Sequence, residues 1–272
     1  MNKLICPVCF QKENKENELI ILNKSYKCIK NHSFDISKEN YVNLLNSKTN
    51  AGDNQTLISA RYNFLLKDYY KPLRDKIKEI VDSVNIKTLI DCGCGTGYYL
   101  EEISKDLDYA YGFDISKDAI KIASKKYNKY KKITYFVSSS NNIPVKSNSF
   151  DCLLSVFAPY FNDEFNRIIK NNGYLIVISS DENHLIELKK LIYDNPYLNE
   201  HINKQLDKLE SFNLIRNTTL TYKVNIPNED LNNLFMMTPY YYKTKESDYL
   251  KLKDIDNLLV TISFNIKVFT TK

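Results

Sequence analysis

Five short apolar runs rich in β-branched and aromatic residues recur through the middle of this chain, too far apart for hairpins. They predict strands near Ile86–Cys92, Tyr109–Asp114, Thr134–Ser138, Phe150–Phe157 and Tyr174–Ser179. The stretches around them carry helical spacing. Helices are expected over Thr56–Lys67 and Pro72–Val84, from Tyr98 onward, and over Ser116–Tyr127, Glu164–Lys170, Asn183–Tyr193, Tyr197–Leu209 and Asn228–Met237. Pro72 suits a first helical turn, where its missing N–H costs nothing. Two longer β-branched runs, Leu220–Ile226 and Leu258–Phe269, fit an antiparallel pair at a sheet edge. Strands alternating with helices require a doubly wound α/β sheet, Rossmann-like, with seven strands and the last pair antiparallel.

The first strand runs directly into Asp91-Cys92-Gly93-Cys94-Gly95-Thr96-Gly97. Alternating glycines bare the backbone N–H groups and let a ligand approach the main chain. A dinucleotide fingerprint wants its third glycine two residues beyond the second plus one; here Gly97 arrives early and Tyr98 fills that place. This tighter form, led by Asp91, resembles the S-adenosylmethionine loop of class I methyltransferases; the alternative is an ordinary strand-to-helix turn. Asp114 ends the second strand, at the spacing where an acid accepts hydrogen bonds from both ribose hydroxyls. Its alternative role is to cap the following helix, which Ser116 or Asp118 could do equally well. Ile115 is placed to pack on a base. The polar stretch Ser138–Pro144 could recognise an adenine edge or be a plain loop.

Near the N-terminus, Cys6-Pro7-Val8-Cys9 is followed by Cys28 and, four positions later, by His32. Three thiolates and one imidazole suit a closed, structural Zn²⁺ site. Between the pairs, 19–22 and 25–27 read as strands with Asn23-Lys24 as their tight turn. A redox reading of CxxC would need a helix N-terminus in a βαβ unit, which this pattern does not predict. A piece of about 45 residues buries too little to fold alone, so the metal is expected to supply its stability. Cys92, Cys94 and Cys152 lie at strand ends and read as small buried hydrophobes.

Composition narrows the class. At 272 residues, 43% hydrophobic and 26% charged, the chain reads as an ordinary globular protein. No apolar run approaches the roughly twenty residues needed to cross a bilayer, and no secretory leader is expected. Six cysteines without a pairing pattern fit a reducing, cytoplasmic setting. The net charge of +5 leans toward a polyanion partner or a mildly basic surface, and charge alone does not choose.

With these parts in order, the chain resembles the bacterial 23S rRNA guanine-N1 methyltransferases, including their macrolide-resistance relatives. The likeness covers nearly the whole length. It rests on CPVC and CxxxH, on His32-Ser33-Phe34-Asp35, Tyr41-Val42-Asn43-Leu44-Leu45 and Tyr70-Lys71-Pro72-Leu73-Arg74-Asp75, then on CGCGTGYY and GFDIS. It continues through Phe157-Ala158-Pro159, His184-Leu185-Ile186-Glu187-Leu188-Lys189 and Met237-Thr238-Pro239. The resemblance implies structural zinc at Cys6, Cys9, Cys28 and His32. It implies S-adenosylmethionine contacts from Tyr70, from Gly95 and Thr96 of the loop, and from His184, beside the loop residues Asp91, Gly93 and Gly97 and the strand-tip pair Asp114 and Ile115 already read as cofactor-binding. It also implies a 23S rRNA partner, no membrane, and a possible homodimer. Tyr70 would form a lid over the methionine end. His184, at the C-terminal end of a strand, would otherwise be a surface residue at a helix start.

Departures from the family pattern include Asn40 for a usual glycine, Asn171-Asn172-Gly173 for a Pro-Gly-Gly turn, and Tyr174 in a chain without tryptophan. Asn40 is tolerable because Asn also enters the left-handed region. The implied domains are a zinc-binding RNA-recognition module (1–46), a linker and leading helices (47–84, with 47–55 as the linker), and a methyltransferase domain (85–272). Guanine N1 carries a proton, so a base is expected near the sheet edge. The candidates are Asp163, Glu164 and His184, although Asp163 could simply cap its helix. The Tyr240-Tyr241-Tyr242 run could stack on unpaired bases or serve the core. His201 reads as solvated. Two other readings stand beside this one: a methyltransferase for small molecules, and an RNA-binding protein with an inactive methyltransferase fold.

Overall fold

The computed structural model describes residues 2–46, 54–127, 132–193, 196 and 209–272. Most of the expected linker, residues 197–208 of one expected helix, and His201 lie outside the described residues. Helix α1 (Pro7–Glu13) precedes strands β1 (Ile20–Leu22), β2 (Ser25–Lys27), β3 (Ser33–Asp35) and β4 (Tyr41–Asn43). Helices α2 (Gln55–Leu66) and α3 (Lys71–Ser83) then lead into β5 (Thr88–Cys92), α4 (Tyr98–Ile103), β6 (Tyr109–Asp114), α5 (Lys117–Tyr127), β7 (Ile133–Val137) and β8 (Phe150–Val156). The chain continues through α6 (Asn162–Ile168), β9 (Ile169–Ser180), α7 (Ile186–Ile192), β10 (Phe212–Pro227), α8 (Asn228–Met236), α9 (Glu246–Leu250) and β11 (Asn257–Thr271).

The seven expected strands form one sheet, and an eighth joins it, in the order β10-β11-β9-β8-β5-β6-β7-β4. β5 is buried at every position because it lies mid-sheet with both faces covered. β11 runs antiparallel to β9 and β10, while the strands from β4 to β9 pair in parallel. From β5 the chain winds one way to β6 and β7 and the other way to β8 and β9. The crevice beyond the C-terminal ends of β5 and β8 is therefore the switch point where ligands of open α/β sheets bind.

The extra strand is β4, which belongs by sequence to the N-terminal module yet pairs in parallel with β7, Tyr41 opposite Tyr135 and Val42 opposite Phe136. It covers what would otherwise be an open edge and buries Tyr41, Val42 and Leu44. Asn40 just before it has φ +64, as its tolerance of the left-handed region requires.

The module does not stand apart from the large sheet. Its β1–β2 hairpin forms as expected, with Asn23 and Lys24 both at positive φ in the turn that matches strand twist. Its inner residues Leu4, Cys6, Cys9, Leu19 and Tyr26 join one buried cluster with Tyr111, Phe113, Phe136 and Phe150 of the large sheet. The Ile5 N–H donates to the Pro144 carbonyl, and the Lys146 N–H to the Lys3 carbonyl, both at 2.9 Å.

Arg167 on α6 fastens the same seam. Its guanidinium donates to both Glu164 carboxylate oxygens, at 2.8 and 2.9 Å, and to the carbonyls of Ile143 and Val145, each at 2.8 Å. It also reaches Glu16 at 3.2 Å and lies over the Phe10 ring at 4.6 Å. The expected turn at Asn171-Asn172-Gly173 is instead a bulge within β9. Between the pairs Phe150/Ile169 and Cys152/Tyr174, β8 advances two positions and β9 five, which leaves three extra residues. A side chain at Gly173 would meet Ile169 at 2.5 Å and the Lys170 carbonyl at 2.7 Å, so the bulge closes only on glycine. Among the described residues no helix is long and apolar enough to cross a membrane.

Candidate active site and metal centre

The loop after β5 turns on three left-handed glycines, Gly93, Gly95 and Gly97, with φ of +72, +53 and +84. The N–H groups of Gly93 and Cys94 both donate to the Phe113 carbonyl of the neighbouring strand at 2.9 Å, which ties the loop to β6. Asp114 at the tip of β6 accepts from the Gly95 N–H at 3.0 Å and, on its other oxygen, from the Ser116 N–H at 2.8 Å. Those bonds fix the carboxylate at the lip of the loop. Ser116 does the capping that Asp114 was alternatively assigned, taking the Ala119 N–H on its hydroxyl at 3.3 Å.

Asp91 ends up 1% exposed, and its Oδ1 makes no hydrogen bond. Burial, and secondarily the Asp114 charge, push its carboxyl up to about 8. A Cβ placed on Gly95 would meet nothing within 4 Å, so the loop faces open ground there. Thr96 is buried and Ile115 half-buried beside it. An orphaned acidic oxygen, open space over a glycine and a fixed carboxylate one strand along fit a nucleoside cofactor that carries positive charge.

Tyr70 and His184, 114 residues apart, meet at the same edge. Burial lowers the His184 imidazole to about 3, so it is neutral. Its Nδ1 accepts the Ser263 N–H at 3.2 Å, which places the proton on Nε2, 3.4 Å from the Tyr70 hydroxyl. Both rings pack on Phe264, with centroids 4.8 Å and 5.1 Å away. His184 is 8% exposed and not a surface residue. Tyr70 is buried at the start of α3. Neither the hydrogen bond nor the shared ring could be read from sequence, because each contact spans eighty positions or more.

The expected bases fare differently. Glu164 gives both carboxylate oxygens to Arg167, and one of them also takes the Ile143 N–H, so it serves as an anchor for the loop before β8. His184, with its low affinity for protons, is a poor base. Asp163 is exposed and accepts from the Asn162 side chain at 2.9 Å. It does not cap α6, whose cap position is Phe161. The three tyrosines are also re-sorted. Tyr240 is core, packed near Phe235 and Tyr193, while Tyr241 opens a 3₁₀ turn and Tyr242 is exposed.

Cys6, Cys9, Cys28 and His32 converge with their ligand atoms all within 4.8 Å of one another. His32 Nδ1 lies 3.3 Å from the Cys6 sulfur and 3.4 Å from those of Cys9 and Cys28; the Cys9 and Cys28 sulfurs are 4.0 Å apart. Tetrahedral Zn²⁺ with Zn–S near 2.3 Å and Zn–N near 2.0 Å would set such edges at about 3.8 Å and about 3.5 Å. The donor set and its spacing fit. CxxC does open a helix, since Cys6 precedes α1, but a hairpin follows and not a βαβ unit. The convergence of Cys28 and His32 on the pair, absent from a redox site, decides for a metal. Cys92, Cys94 and Cys152 are buried, as expected.

Residues 90–177 match the family described as Methyltransferase domain, and residues 4–49 match the zinc-ribbon family described as RlmA, N-terminal. YxjB of Bacillus subtilis, provisionally named a 23S rRNA (guanine-N(1)-)-methyltransferase, is 27% identical over 97% of this chain and 95% of its own length. The 23S rRNA (guanine(748)-N(1))-methyltransferase of Streptomyces fradiae is 28% identical over 61% of each chain. Among solved structures, a chain from the complex of the Haloferax volcanii Trm112 methyltransferase activator with a provisionally named methyltransferase superposes with a TM-score of 0.52. It covers 81% of this chain and 99% of that one at 13% identity, a likeness of fold. This chain is an S-adenosylmethionine-dependent methyltransferase with an RlmA-type zinc ribbon, similar over nearly its whole length to a protein named as a 23S rRNA guanine-N1 methyltransferase.

Proposed function

We propose that the enzyme methylates N1 of a guanine in a hairpin of 23S rRNA. The observation that carries this reading is the similarity to YxjB, which runs through ribbon and methyltransferase fold alike and not through the widespread fold alone. A metabolite pocket would have no use for a ribbon, whereas an RNA substrate gives it a task. In this reading residues 1–46 recognise RNA, 47–84 lead into the fold, and 85–272 carry the cofactor and the reaction.

S-adenosylmethionine supplies a methyl group made electrophilic by its sulfonium. Asp114 accepts its ribose hydroxyls, held ready by the Gly95 and Ser116 amides. Asp91 offers its unpartnered oxygen to the positively charged methionine end. Ile115 packs on the adenine, and Gly93, Gly95, Thr96 and Gly97 give the main chain over to close approach. Tyr70 and the neutral His184 shape the apolar wall and exclude water. Cys6, Cys9, Cys28 and His32 bind Zn²⁺ in a closed shell, which leaves the metal no open position for chemistry, so the ribbon grips and does not catalyse. Methyl transfer is an in-line displacement, so alignment of acceptor and donor supplies much of the rate. We assign no general base, since Glu164 and His184 are committed as described.

The test is tritiated methyl transfer to protein-free 23S rRNA, followed by mapping of reverse-transcription stops. A methyl on guanine N1 blocks pairing and halts the polymerase at one nucleotide. Label in a small-molecule mixture but not in rRNA, or a modified nucleotide that pairs normally, would overturn the reading.

A further inference from the structure

At the switch point, opposite the glycine loop, β8 is followed by a residue in an unusual state. Phe157 has φ +56, a left-handed conformation that aromatic residues seldom adopt. Its own N–H still donates to the Ile178 carbonyl at 3.1 Å, so the strand ladder holds it there. The next residue braces the turn against the loop: Ala158 Cβ lies 2.8 Å from where a Cβ on Gly93 would be. The residue is 46% exposed, and its ring lies 5.5 Å from Phe264, tilted 53° to it. Phe264 is the ring on which Tyr70 and His184 also pack.

Burial does not explain this side chain, because nearly half of it faces solvent. The turn does not explain it either, because glycine or asparagine would take the same φ with less strain. Backbone strain of this kind persists where surrounding structure enforces it, and it concentrates at ligand sites. What the position offers is a rigid aromatic surface at the mouth of the crevice, joined through Phe264 to the wall formed by Tyr70 and His184.

We infer that Phe157 is the platform on which the acceptor base stacks, holding it against the methyl donor. The inference rests on the proposed RNA guanine substrate and adds the residue that positions it. Stacking on an aromatic face tolerates any base, so Phe157 places the purine and does not select guanine.

Two variants test it. Phe157→Asn removes the ring but accepts the left-handed backbone; Phe157→Tyr keeps the ring. Methylation of protein-free 23S rRNA, cofactor affinity by calorimetry and the thermal midpoint are measured for each. For Phe157→Asn, kcat/KM toward rRNA should fall at least about ten-fold, with KM raised and kcat lowered, as loss of one base–aromatic stack predicts. Its cofactor affinity should stay within about two-fold of wild type and its midpoint should not fall. Phe157→Tyr should restore the rRNA kinetics. Wild-type kinetics in Phe157→Asn, or failure of Phe157→Tyr to restore them, would overturn the inference while leaving the proposed function intact. A lowered midpoint and weakened cofactor binding in Phe157→Asn would make the ring structural and likewise overturn it. A wild-type enzyme inactive on rRNA would overturn both.

Discussion

Asp91→Asn isolates the charge at the floor of the crevice. In the folded protein the Asp91 carboxyl is pushed up to about 8 from an ordinary 3.8, first by burial and then by Asp114. Between those values the folded chain keeps a proton that the unfolded chain has released. Stability must therefore fall as pH rises, by about 1.4 kcal/mol per pH unit from this group alone. From pH 5 to pH 7 the loss is about 3 kcal/mol, and it levels off above the folded value. Asparagine has no proton to lose, so the variant should lack this slope. Urea unfolding of the zinc-loaded, cofactor-free protein at both pH values measures it. The variant should gain about 3 kcal/mol on wild type between pH 5 and pH 7, with every other titrating group cancelling in the difference. A positively charged cofactor beside Asp91 would pull its carboxyl back down, so binding near pH 7 should release a proton in wild type and none from this source in Asp91→Asn. Calorimetry in two buffers of different ionisation heat counts that proton. Parallel pH profiles for the two proteins would refute the buried, unpartnered carboxyl and the reasoning built on it.

Gly95→Phe should fold, since an added Cβ meets nothing within 4 Å, at a backbone cost of about 1 kcal/mol for the left-handed φ. Its cofactor affinity should drop beyond detection in calorimetry, and undiminished uptake would end the assignment of the loop. Gly112→Ala should cost about 1–3 kcal/mol of stability in urea titration, because the new methyl meets Leu100 at 2.6 Å, Tyr135 at 3.0 Å and Cys94 at 3.1 Å. Chelating the zinc should lower a single thermal transition of the whole chain, because the ribbon shares its core with the large sheet. Two separate transitions would show the ribbon folding independently. Arg167→Met leaves the Glu164 carboxylate and two carbonyls without their donor and should cost about 2–3 kcal/mol in the same titration.

What sequence alone made legible was local or periodic. The glycine loop and the turn at Asn23-Lys24 depend on residues within a few positions of one another, and the acid at the tip of β6 on its fixed spacing from that loop. The paired strands of the sheet announce themselves by β-branched runs. What stayed hidden depends on contacts made across the chain. Three residues at 41–43 carry too little pattern to reveal that they extend the sheet beside β7. The bulge at Asn171-Asn172-Gly173 has the composition of a turn, and only the register of β8 shows that the strand continues through it. Glu164 looked like a candidate base because the sequence cannot show Arg167 closing on it from one turn away in a half-buried setting. A glutamate followed three positions later by arginine was the available signal, and it applies equally to exposed helix faces.

The seam that Arg167 and β4 close has a geometric consequence. A domain on a loose tether samples many separations from its partner, and a substrate gripped by it can present several nucleotides to the same reaction centre. Here the ribbon is riveted at two places, so the span from its outer surface to the mouth of the crevice is a fixed length, a ruler built into the protein. If the ribbon grips RNA as proposed, an RNA held at one end of that ruler would offer one nucleotide at the other, and lengthening its stem by a base pair would bring a different one to the mark.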